Sequence, residues 1–132
     1  MAGIKISELS IGDWVEWKVY DKTYVIRITQ ITDTIIRGVH DGIEYGVLLK
    51  QISPIPLTPE ILEKNGFRKN GEYNEWNIGE WDEHPFIGVS LDRQCIRIKH
   101  FGNDIYIEGK VVYVHQLQHA LRLAGVEKEI EL

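Results

Sequence analysis

Ser53-Pro54-Ile55-Pro56-Leu57 constrains this chain more than any other segment. Proline has no N–H to give a ladder and its ring fixes φ, so no sheet strand runs through two prolines spaced by one residue. The next residues read as a helix start. Thr58 is a good N-cap, Pro59 fits the first helical position, and Glu60 places a carboxylate in the favourable first turn. Ile61 and Leu62 face inward, and Gly66 closes the helix after Asn65, so the pattern predicts a helix at about 59–65. The chain is therefore expected to fall into a part at 1–53 and a part at 54–132.

Before the prolines the pattern has the two-residue period of strands. Trp14, Glu16, Lys18 and Tyr20 alternate with Val15, Trp17 and Val19, and residues 23–31 are rich in β-branched and aromatic side chains. A tight connection at Asp21-Lys22, a break at Thr32-Asp33 and a hairpin dipeptide at Asp41-Gly42 separate four short strands. After the prolines, strands are expected at 67–69, 86–91, 94–100 and 105–107. A helix is expected at about 114–124, where Val114, Leu117, Leu121 and Ala124 share one face and Gly125 follows. Val126–Leu132 reads as a last edge strand. Short strands separated by turn dipeptides suggest a small antiparallel barrel or a strongly curved sheet, and the predicted class is α+β: an N-terminal SH3-like antiparallel β-barrel followed by a small antiparallel sheet with two short helices, packed as one compact unit.

The net charge is −5, with six basic and seven acidic residues in 1–53 and nine and thirteen in 54–132. Neither part has the basic excess of a phosphate-backbone binder, so bulk nucleic acid is not an expected partner. The single cysteine, Cys95, excludes an intramolecular disulfide and a thiolate metal cage, and its strand-like surroundings read as structural. The opening Met1–Lys5 has no long apolar stretch and no window has the eighteen apolar residues of a membrane helix, so the expected location is cytoplasmic, with no membrane partner. Homo-oligomerisation is left open.

Three groups of residues carry possible chemistry. His115 and His119 stand four apart on the second predicted helix, as in a zinc-protease helix, but Gln116 replaces the glutamate that would act as base. Both then read as the polar flank of a helix whose buried face is Leu117 and Leu121. Residues 72–84 hold Trp76, Trp81 and five carboxylates with no Lys or Arg. This is either an exposed recognition hairpin or a pair of core tryptophans beneath a solvated acidic face. Arg93, Arg97 and Lys99 lie on or beside one strand face and read as a phosphate site or as ordinary surface charge. No phosphate loop, dinucleotide fingerprint or nucleophile elbow is present, so no catalytic residue, metal or cofactor is expected and the protein is read as a binder.

Leu9-Ser10-Ile11-Gly12-Asp13-Trp14-Val15, the run from Pro54 to Phe67 (PIPLTPEILEKNGF) and Tyr113-Val114-His115-Gln116-Leu117-Gln118 together resemble an uncharacterised family of small proteins from bacteriophages and mobile elements. The resemblance implies an accessory gene, and by context a counter-defence role. The leading expectation is a non-catalytic protein that sequesters a small nucleotide-derived signal. Trp76 and Trp81 would stack on a base, Arg93, Arg97 or Lys99 would hold phosphate, and His115 and His119 would complete the site. Two alternatives are an interaction module that inhibits a host protein through 72–84, and a nucleic-acid-associated SH3-like module.

Overall fold

The computed structural model describes residues 4–71, 74–79, 86–100 and 103–132. It is an α+β protein, mostly strands, that divides into two compact units, Met1–Ile55 and Pro56–Leu132.

The first unit is a five-stranded antiparallel sheet of β1 (Trp14–Val19), β2 (Lys22–Ile31), β3 (Ile36–His40), β4 (Ile43–Val47) and β5 (Ile52–Ser53), in the order β4-β3-β2-β1-β5. Its hairpins follow the turn chemistry. Asp41 and Gly42 both take positive φ (51° and 79°), which a two-residue turn between right-twisted strands demands and which Asp and Gly supply cheaply. The β1–β2 pair sets Val15 opposite Ile26 and Trp17 opposite Tyr24. Alternation then puts Val15, Ile26, Ile28, Ile36, Val47 and Ile52 into one core with Ile4 and Leu9. A register shift between Ile28 and Gln30 bends β2 against β3.

The sheet is strongly curled. Trp17 on β1 and Tyr45 on β4 touch, ring centroids 5.2 Å apart, although β2 and β3 lie between their strands. A flat sheet would separate those strands by roughly 14 Å. Curling does not close it: the edge strands β4 and β5 do not pair, so the closed barrel expected from the sequence is not formed by the described strands.

The second unit holds α1 (Pro59–Lys64), β6 (Arg68–Asn70), β7 (Glu75–Ile78), β8 (Phe86–Ser90), β9 (Cys95–His100), β10 (Asn103–Glu108) and α2 (Val114–Leu123), with the antiparallel order β10-β9-β8-β7-β6. Thr58 Oγ1 accepts the Ile61 N–H at 3.2 Å, the cap expected of it. The proline segment carries no ladder, yet the Leu57 N–H reaches the Val112 carbonyl at 3.0 Å beside an isolated bridge between Pro56 and Tyr113. α2 packs against β9 and buries Val114, Leu117, Ala120 and Leu121. The expected edge strand at Val126–Leu132 is absent: that segment is not a strand, and Asn65 holds it instead. The Asn65 amide donates to the Glu131 carbonyl at 2.8 Å and accepts the Glu131 N–H at 2.7 Å.

Candidate functional site

One end of the first unit's concave face is filled by aliphatic side chains; the other opens as a cleft of about 470 Å³. Trp17 and Val19 come from β1, Lys22 and Tyr24 from β2, His40 from β3 and Tyr45 from β4, with Tyr20 and Asp21 from the hairpin tip between β1 and β2. This size suits a small organic ligand.

The rings make a floor. Trp17 meets Tyr24 at 5.6 Å and 39°, Trp17 meets Tyr45 at 5.2 Å and 42°, and Tyr24 meets His40 edge-on at 5.1 Å. Two rings that sandwich a third must stand about 7 Å apart, twice a van der Waals contact, so no slot exists between these neighbours. A flat ligand would lie across them. Trp17 Nε1 donates to Gln51 Oε1 at 3.1 Å, and the same oxygen accepts the Leu48 N–H at 3.2 Å, so the indole is anchored from outside the cleft. His40 Nδ1 lies 2.9 Å from the Val25 carbonyl, which can only accept, so Nδ1 carries a proton, and in the neutral form of that tautomer Nε2 is an acceptor. Asp21 and Lys22 contribute one charge of each sign to the lining. The arrangement offers stacking area, an acceptor edge and one ammonium.

The residues singled out from the sequence are arranged differently. Trp76 is half-buried in β7, paired with Lys69 and Val89, so the described part of the acidic aromatic segment is a strand inside a sheet. Trp81 lies outside the described residues. Arg97 and Glu75 form an ion pair at 2.9 Å, with side chains 21% and 14% exposed, and Arg97 also lies over the Phe86 ring at 5.5 Å. Lys99 sits opposite Asp104 in the β9–β10 ladder, and Arg93 is exposed at the turn before β9. Arg97 and Lys99 are thus on one strand, Arg97 paired with Glu75 two strands away and Lys99 in register with Asp104.

His115 is not on a polar flank. It is 2% exposed, stacked on Tyr113 at 5.8 Å and edge-on to the half-buried His119 at 5.7 Å. Gln116, read from the sequence as a missing base, is a structural residue. Its Oε1 accepts the Tyr113 N–H at 3.0 Å and caps α2. Among the described residues no group of three or more His, Cys, Asp or Glu side chains could hold a metal ion, and no helix is long and apolar enough to cross a membrane.

Sequence reasoning overlooked the cleft. Its signal was hairpin arithmetic: the first turn is at Tyr20-Asp21, one residue before the connection expected at Asp21-Lys22, and sets 17 opposite 24 where the expected turn would set 17 opposite 26, while a turn at Asp41-Gly42 sets 40 opposite 43. No protein family, curated protein or solved structure matches this chain.

Proposed function

We propose that this is a cytoplasmic, non-catalytic accessory protein of the phage or mobile-element type, which sequesters a small nucleotide-derived signal by laying its base on the Trp17–Tyr24–Tyr45 floor. The first unit is then an open, SH3-like curled sheet used as a receptor. The observation that carries this reading is the contiguous aromatic floor with a polar rim on a concave sheet face. A nucleobase matches it: every base has a stacking face, worth ~1–3 kcal/mol on an aromatic side chain, and a polar edge for His40 Nε2. The phosphate contact falls to Lys22, in the same cleft, and not to Arg97, which Glu75 already neutralises.

Calorimetric titration with AMP, a cyclic adenine dinucleotide, ADP-ribose and ribose 5-phosphate tests the reading. The expected result is saturable binding of at least one base-bearing compound, none of ribose 5-phosphate, and at least tenfold weaker binding by Trp17→Ala. Heat denaturation of the complex should release the compound chemically unchanged. Absence of binding by all three base-bearing compounds, or recovery of a converted product, overturns the proposal.

A further inference from the structure

Tyr20 and Asp21 are the two residues between the paired Val19 and Lys22, so they form the whole loop of the β1–β2 hairpin. Tyr20 has φ +56°. In a two-residue hairpin that position favours glycine, because a Cβ crowds the carbonyl in the left-handed region. Three other described non-glycine residues share such a φ, and each has a local reason. Asp41 and Asn74 belong to the types that tolerate it, and Gln94 is tied down through its side chain to Leu91 and Val112. Tyr20 is neither of a tolerant type nor buried: at 101% exposure its ring contributes nothing to packing. Tyr20 is one of the residues that line the aromatic cleft.

A residue that costs local stability and packs on nothing is accounted for when it meets something from outside. We infer that Tyr20 is a ligand-contacting residue that lays its ring on the exposed side of a base resting on the Trp17–Tyr24–Tyr45 floor; this rests on the nucleobase reading of the cleft. Floor and tip together supply the two faces of a sandwich that the touching floor rings do not form among themselves. The hairpin tip sets the ring in place through its backbone, and a different side chain there gives the same turn without the second face.

The test measures affinity and stability on the same variants, using AMP and a cyclic adenine dinucleotide as probes. Tyr20→Asn keeps a residue that tolerates the turn and removes the ring, so it is expected to bind about tenfold more weakly while its Tm rises by a few degrees. Tyr20→Phe, which keeps the ring, loses less affinity than Tyr20→Asn. Wild-type affinity in Tyr20→Asn, with binding lost in Trp17→Ala, overturns the role of Tyr20 and leaves the cleft standing. A Tm below wild type in Tyr20→Asn overturns the argument that the residue is kept at the expense of stability. No binding of either probe by the wild-type protein overturns the inference together with the reading beneath it.

Discussion

Asn65 does more than end a helix. Its amide donates to Ile61 O and to Glu131 O, both at 2.8 Å, and accepts the Glu131 N–H at 2.7 Å, while the residue is 3% exposed. A primary amide is the group that can give and take on one backbone unit at once. Asn65→Ala removes three part-buried hydrogen bonds, two of them to Glu131, and is expected to lower unfolding free energy by ~2 kcal/mol in urea titration. The Glu131 amide should lose its protection from hydrogen exchange in the same variant. Unchanged stability and protection would show that the clamp holds nothing. Cys95 illustrates a different residue-scale effect. Burial pushes its thiol up, and the carboxylates of Glu108 and Glu75 push it further, against the opposing pull of Arg97 and Arg93. A raised pKa means less thiolate at pH 8, so alkylation by iodoacetamide is expected to be several-fold slower than for a free thiol, with its pH midpoint displaced upward. Glu108→Gln, across the ladder from Cys95, should speed the reaction.

At the scale of elements, the second sheet carries a polar brace over a bare position. Asn77, Gly88 and Arg97 form one cross-strand row, and Glu75 on β7 reaches across β8 to Arg97 on β9. A Cβ on Gly88 would lie 2.5 Å from the Glu75 carboxyl carbon, so glycine leaves the space through which the pair closes. The pair is mostly covered, and Arg97→Ala strands a carboxylate that has little water to turn to. The expected loss, allowing for partial exposure, is ~2 kcal/mol by chemical denaturation. Glu75→Gln in the Arg97→Ala background should restore part of it, and a double-mutant cycle with no coupling would dismiss the brace. The elements themselves are legible in sequence where their causes are local. Thr58, Pro59 and Gly66 bracket the first helix, and the structure runs it over Pro59–Lys64. The second helix, expected at 114–124, runs over Val114–Leu123. The strand reading of Val126–Leu132 fails because apolar alternation invites a strand, whereas the partner for this backbone is the side chain of Asn65, 66 residues before Glu131. The polar-flank reading of His115 fails because a 3.6 period built on Leu117 and Leu121 gives the centre of the buried face and not its width.

On the scale of the whole molecule, the two units offer competing candidates for the proposed binding surface. The sequence puts its candidates, Trp76, Trp81, Arg93, Arg97, Lys99, His115 and His119, entirely after residue 55, because tryptophans in an acidic run and alternating cations stand out to the eye. The cleft uses residues before residue 55 that look like ordinary strand aromatics one at a time. They become a surface only through register and curl: Trp17 reaches Tyr45 because the sheet bends over two intervening strands, and a bulge in β2 that no local pattern announces contributes to that bend. The two assignments predict different footprints. Hydrogen exchange followed by mass spectrometry, with and without saturating AMP or cyclic adenine dinucleotide, is expected to show its largest gain in protection across the hairpin of residues 14–31 and the strands at 36–47. Peptides covering 93–99 and 114–123 should change little. A ligand that binds only the native state adds about 2.7 kcal/mol at a hundred times its Kd, so slowing at the bound hairpin is large enough to read. Protection centred on 93–99 or 114–123 would return the site to Arg93, Arg97, Lys99 and the two histidines, and the aromatic cleft would then be a feature of how the first sheet curls and no receptor.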